Sequence, residues 1–230
     1  SPTLPTGLNF GTDNGTIWGI ATVLQTTATT YTIWANNSGG SSSASVTITI
    51  NDVAPGTFEY NPENNTFTNN TAASIAPTVN NSAGVITSWA INATLPSGLV
   101  IGATNGTIYG TPTELWTQKS YMVWANNSGG SSVGYLNITV VDQVPSLSYS
   151  PSALVLTINA QNTELPLNAT LTGPGAIVSW EMNASLPSGL SFGTTNGTIW
   201  GIPTVMQTTA VTYTIWGNNT GGSHAVYLNI

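Results

Sequence analysis

Asn105–Gly110 reads NGTIYG, and the same six positions read NGTIWG at Asn14–Gly19 and again at Asn196–Gly201. Asn-Gly supplies the positive φ that tight hairpin turns demand, so each segment is read as the turn and second strand of a β-hairpin. Neighbouring side chains on a strand point to opposite faces, so the isoleucine and the aromatic beside it cannot both enter one core. Ile17, Ile108 and Ile199 are assigned inward, which leaves Trp18, Tyr109 and Trp200 facing out.

The hairpin belongs to a larger repeat. Leu4, Leu95 and Leu186 open matching LPTGL, LPSGL and LPSGL segments 91 residues apart, and NNSGGSS at Asn36 and Asn126 returns as NNTGGS at Asn218. The small differences in spacing fall around Glu114–Lys119 and Gln207–Ala210, where loops are expected to absorb them. Apolar residues alternate in YTIWANN and VITSWAIN, the runs are short, and Gly, Pro and Asn-Gly punctuate them, as in an all-β sandwich. No stretch has the periodicity of an amphipathic helix. Three units are expected: residues 1–52, the closing half of a repeat; 53–142, a complete repeat; and 143–230, a repeat short of its last few residues. The sequence is therefore read as an excerpt of a longer tandem array. A half sandwich would leave a sheet face and edges open, so residues 1–52 are expected either to be completed by another segment or to fold differently.

The order LPSGL, TNGTIYGTPT, YMVWANNSGGSS, LNITVVD resembles the immunoglobulin-like repeats, close to cadherin-like domains, of large bacterial and archaeal surface proteins. The resemblance spans all three copies. It implies tandem immunoglobulin-like β-sandwich domains of about 90 residues each, extracellular and without catalytic activity. An aromatic at Trp18, Tyr109 and Trp200 departs from the small or polar residue usual there.

Alternation sorts the remaining aromatics. Trp89 shares a face with Ile91, and Trp180 with Met182, which suits a central sandwich tryptophan. In YTIWANN and its copies the uniformly apolar face is Tyr31, Ile33, Ala35; Tyr121, Val123, Ala125; and Tyr213, Ile215, Gly217. Trp34, Trp124 and Trp216 are thereby assigned outward. The outward aromatics are contact or ligand candidates under three readings: cover for a neighbouring domain or linker, anchors for self-association into a filament or surface layer, or stacking platforms for carbohydrate.

Composition narrows the function. One Lys, no Arg, one His and eight acids give a formal net charge of −7, which excludes a nucleic-acid partner and disfavours an anionic membrane surface. No Cys is present, so there is neither a disulfide nor a thiolate metal site. No apolar run approaches the roughly 20 residues of a membrane-spanning helix, and SPTLPTGLNF lacks the features of a signal peptide, so targeting or anchoring segments are expected elsewhere in the protein. A surface rich in Ser, Thr, Asn and Gly suits an extracellular glycoprotein. Thirteen of the 25 Asn lie in Asn-x-Ser/Thr, about twice the chance expectation. The NGT sequons are read as turn chemistry, while Asn64, Asn69, Asn80, Asn92, Asn137, Asn168 and Asn183 are the glycosylation candidates.

Asp52 and Asp142 stand in junctions, NDVAP and VDQVP, similar to the calcium linkers of cadherins. Calcium needs six to eight oxygens, so these are read as plain rigid linkers with a weak calcium possibility, and no metal or other cofactor is expected. The single His224 and scattered acids assemble no triad or carboxylate pair, so no catalytic residue is assigned. Lys119, absent from the other copies, is read as a surface lysine rather than half of an isopeptide bond. The leading function is an extracellular structural or adhesive repeat segment whose partners are other copies or neighbouring repeats; the alternative is a carbohydrate-binding module.

Overall fold

A computed structural model describes residues 2–80 and 83–230, and every regular element among them is a β-strand. The first unit holds β1 (Leu8–Phe10), β2 (Ile17–Gly19), β3 (Gln25–Asn37) and β4 (Gly40–Ile50). They form two separate antiparallel hairpins, β1–β2 and β3–β4. Between them an open hollow of about 520 Å³ is lined by Leu4, Leu8, Phe10, Ile17, Tyr31 and Ile33 among others. The alternation of the repeat thus produces the strands and the apolar face, and among the described residues that face opens on the hollow.

The second unit closes around a core. It contains β5 (Phe58–Tyr60), β6 (Asn64–Thr68), β7 (Ala73–Ile75), β8 (Pro77–Val79), β9 (Ser88–Ile91), β10 (Leu99–Ile101), β11 (Ile108–Gly110), β12 (Trp116–Asn127) and β13 (Gly130–Val141). One layer runs β6-β13-β12-β9; the other is formed by β10-β11-β7 and by the pair β5-β8. Among these strands the pairings are antiparallel except β6 with β13. The core between the layers is Phe58, Tyr60, Trp89, Leu95, Leu99, Ile108, Tyr121, Val123, Ala125, Leu136, Ile138 and Val140. Trp89 stands edge-on to Phe58 with ring centroids 4.7 Å apart, an arrangement the ring quadrupoles favour.

The third unit carries β14 (Leu147–Ser148), β15 (Thr170–Leu171), β16 (Ser179–Met182), β17 (Leu190–Phe192), β18 (Ile199–Gly201), β19 (Thr212–Asn219) and β20 (Gly222–Asn229). Sheet β16-β19-β20 repeats β9-β12-β13, and Trp180, Leu147, Tyr149, Ile199, Ile215 and Leu228 lie in its core. The tandem sandwich expected from the sequence is present, and the length changes fall in the expected segments, with Gln207–Ala210 outside any strand, but not all of them are in loops. In the first two units they lie inside a strand: pairing shifts between Gln25 and Thr29 on β3 and between Trp116 and Lys119 on β12. A β-bulge adds residues to one strand and restores the register beyond it, so the core face survives the length change.

Candidate functional site

The three NGT turns share one local geometry. Gly15, Gly106 and Gly197 have φ of 73°, 69° and 70°, the left-handed conformation that glycine adopts without steric cost. The Asn before each accepts a hydrogen bond at Oδ1 from the Thr amide two residues on, at 3.0 Å for Asn14 and Asn105 and 3.1 Å for Asn196. In the second unit the turn is pinned from inside: a Cβ on Gly106 would stand 2.6 Å from the Trp89 ring, and Tyr60 donates its hydroxyl to the Gly106 carbonyl at 2.6 Å. Tyr149 and Trp180 hold Gly197 in the same way. Burial pushes the Tyr60 and Tyr149 phenols far above their ordinary range, so both remain the protonated donors these bonds require.

On the outer side of each turn's second strand the aromatics lie in solvent: Trp18 is 52% exposed, Tyr109 48% and Trp200 44%, whereas Ile108 and Ile199 are fully buried. Beside Trp200 an open cleft of about 590 Å³ is lined by Gln161, Pro166, Asn196 and Thr198. Trp34, Trp124 and Trp216 lie on the outer face of the other layer. Trp34 is 60% exposed; Trp124 and Trp216 are half-buried. The difference follows from strand neighbours: Trp124 is paired with Val133 and Ala90, and Trp216 with Ala225 and Glu181, while Trp34 has only Ser43. The two sets of aromatics therefore occupy different layers.

Sequence reasoning overlooked Tyr135 and Tyr227, which lie opposite Met122 and Thr214 and beside Trp124 and Trp216 on the same face. They are 55% and 65% exposed. Their signal was present in GYLNI and VYLNI, where the inward Leu136 and Leu228 turn each preceding tyrosine outward.

The NNSGG and NNTGG turns do more than reverse the chain. Asn127 donates from Nδ2 to the Val53 carbonyl at 2.7 Å and to that of Val85 at 3.1 Å, while the Asp52 amide donates to Ser128 Oγ at 3.0 Å. Gly129 lies so close to the Asp52 carbonyl that a Cβ would collide with it. The second junction has the same arrangement: Asn219 to Gln143 and Ala176, the Asp142 amide to Thr220 Oγ1, and Gly221 against the Asp142 carbonyl. Asp52 and Asp142 each accept the following amide at 2.8 Å. Each linker is thus held by the sandwich that follows it, and Gln143 also donates Nε2 to the Asn69 carbonyl of the preceding one at 3.2 Å. Among the described residues no three His, Cys, Asp or Glu side chains converge.

The other asparagines are variously engaged. Asn137 donates Nδ2, the atom a glycan would take, to Asn64 Oδ1 at 2.8 Å, and Gln118 donates to the same oxygen. Asn69 is half-buried with a buried Oδ1. Asn92 and Asn183 accept the Met122 and Thr214 amides, and Asn168 accepts the Thr198 hydroxyl; all three are exposed. Asn80 is exposed too, while Asn81 and Ser82 of its sequon lie outside the described residues. Lys119 sets its ammonium over the rings of Trp116 and Tyr121, at 5.6 and 5.4 Å from their centroids, a cation–π arrangement.

Over 148 residues the chain is 29% identical to the "Serine-rich adhesin for platelets" of Staphylococcus aureus strain MRSA252, covering 60% of this chain and 10% of the adhesin. It thus spans about a tenth of that relative's length. It is similar to an I-band fragment from titin (TM-score 0.44, 16% identity, covering 100% of this chain and 83% of the fragment) and to the N-terminal eight Ig domains of the Down Syndrome Cell Adhesion Molecule (TM-score 0.41, 15% identity, 97% and 30%). Residues 1–51, 55–141 and 143–230 each match the family described as "Putative Ig domain". With nearly its whole length covered by those three matches, the chain belongs to that immunoglobulin-like family.

Proposed function

We propose that this chain is a non-enzymatic segment of an extracellular surface protein, in which repeats in series keep their linkers docked and present aromatic faces to other copies of the array. The observation that carries this reading is the outer face of the β12–β13 sheet, where Met122, Trp124, Val133 and Tyr135 lie together, with Trp216, Ala225 and Tyr227 in the same place on β19–β20. Aromatic side chains concentrated at one patch are the usual anchors of protein association. The linker contacts at both junctions and the adhesin relatives support the same reading. Self-association of the full chain, followed by light scattering over a concentration series, tests it. Trp124→Ala with Tyr135→Ala is expected to weaken association at least about tenfold, the effect of losing one modest anchor. A wild-type chain that stays monomeric throughout the series would sink the proposal.

A second reading, carbohydrate binding, is favoured by the cleft beside Trp200, where an indole meets the amides of Gln161 and Asn196. Its test is binding of neutral oligosaccharides, abolished by Trp200→Ala.

A further inference from the structure

Each of the three NGT turns carries an asparagine amide held in a fixed orientation and an exposed aromatic ring on the strand that follows. Because Oδ1 of Asn14, Asn105 and Asn196 is held by the Thr amide, the orientation of each carboxamide is set. Nδ2 of all three makes no hydrogen bond among the described residues, and all three side chains are exposed. Asn137, by contrast, commits its Nδ2 to Asn64. The ring four residues on lies beside the same backbone. At Gly11 and Gly193, a Cβ would meet the Asn14 or Asn196 Oδ1 on one side and Cζ3 of Trp18 or Trp200 on the other, at 3.1 and 3.3 Å. In the first and third turns amide and indole therefore lie beside one glycine, within the span of a single sugar ring. The inner side of the turn is occupied by Trp89 in the second unit and Trp180 in the third, so a group added to Nδ2 extends outward without disturbing the core.

An indole or phenol face left in water at the same place in three copies calls for a partner with an apolar face and a hydrated edge. The first sugar of an N-linked glycan has that character, since the C–H groups of a pyranose cover an aromatic ring while its hydroxyls stay wet. We propose that Asn14, Asn105 and Asn196 are N-glycosylation sites and that at the first and third turns the first sugar packs on Trp18 and Trp200. The donor is a sugar activated as a glycosyl diphosphate, used by a transferase outside this chain. Nδ2 attacks the anomeric carbon, the N–C1 bond forms, and the C1–O bond to the diphosphate breaks. The diphosphate departs with the bonding electrons while one amide proton passes to the transferase's base. In this arrangement the cleft beside Trp200 is filled by the chain's own glycan rather than by a partner's carbohydrate.

The inference rests on the extracellular reading, but its test is independent of where the chain resides natively, because it uses secretion of the full chain from a yeast host that glycosylates accessible sequons. Glycopeptide mass spectrometry is expected to find Asn14, Asn105 and Asn196 occupied. Nuclear Overhauser effects are expected between the first sugar and the indoles of Trp18 and Trp200, and Trp200→Ala should abolish the set at the third turn while sparing the first. Asn196→Asp keeps an oxygen for the Thr198 amide, so it should fold normally and lose only the third glycan. Three unmodified NGT sites alongside occupied Asn92 or Asn168 would overturn the proposal, as would occupied sites at which the sugar and the indole show no Overhauser effect. Equal capture of free neutral oligosaccharide at Trp200 by glycosylated and bacterially made, unglycosylated chain would overturn it as well, since the ring would then be uncovered.

Discussion

Ile17 and Ile108 hold the same place in two copies of one hairpin, and the hairpins are locally alike. Leu8, Asn9 and Phe10 pair with Gly19, Trp18 and Ile17 just as Leu99, Val100 and Ile101 pair with Gly110, Tyr109 and Ile108. Their turn glycines differ in φ by a few degrees. Yet Ile108 is sealed in a core while Ile17 borders an open hollow. Turn chemistry and strand pairing are therefore written into the closing half of the repeat, whereas burial depends on the opening half, which supplies Phe58, Tyr60 and Trp89 in the second unit. Most of a small sandwich's stability comes from that burial rather than from the hairpins themselves.

The comparison breaks most sharply at Trp89. Trp89→Ala removes the side chain that Phe58 and Gly106 pack against, and the loss of transfer energy plus the cavity left behind should cost about 3–5 kcal/mol. Amide hydrogen exchange over Tyr121–Ala125 should then approach the rates of Tyr31–Ala35, which should themselves stay unchanged. Unaltered protection of β12 would show that the tryptophan is not what separates the two units.

A finer cut uses the turn glycines. Gly15→Ala and Gly106→Ala impose the same penalty for a side chain at positive φ. Only Gly106 has a ring 2.6 Å from the new Cβ, while Gly15 has nothing within 4 Å. The second substitution should therefore be the more destabilising by about 1–3 kcal/mol, the usual cost of overpacking, measured as the difference in local exchange free energy on β11 and β2. Equal effects would mean that the Trp89 ring yields freely.

How much of this was legible in the sequence depends on the range of the contact. The inward places of Trp89 and Ile108 and the outward place of Tyr109 follow from two-residue alternation, a property of neighbours. The contact of Asn127 with Val53 joins positions 74 residues apart, and Tyr60 reaches Gly106 across 46. Periodicity sorts faces but does not name partners, so nothing in NNSGG itself announces that it docks the linker. Chain length misled in the opposite way. A missing residue between copies suggested a loop change, but a bulge on the Trp116–Lys119 strand absorbed it. The half-buried state of Trp124 and Trp216 depends on which strands flank them, and that too is fixed only by the assembled sheet.

The mildest effect concerns Glu114, which the second unit alone possesses, since its places in the other copies hold Val23 and Val205. Its carboxylate accepts the Ser97 amide at 2.8 Å, closing the LPSGL turn, and this bond holds its pKa below the ordinary carboxylate value. Because the folded-state pKa is depressed, the stabilisation is present above the unfolded value and disappears as the pH falls through the folded one. The group is fully exposed, so solvent screens the effect and it should be small. Between neutral and acidic pH, protection of the Ser97 amide, taken relative to the intrinsic exchange rate at each pH, should fall more than that of Ser188, its counterpart in the third unit. In Glu114→Gln, whose amide oxygen can still accept from Ser97 but cannot titrate, that excess should vanish. An excess that survived the substitution would place the pH response of the turn in some other group.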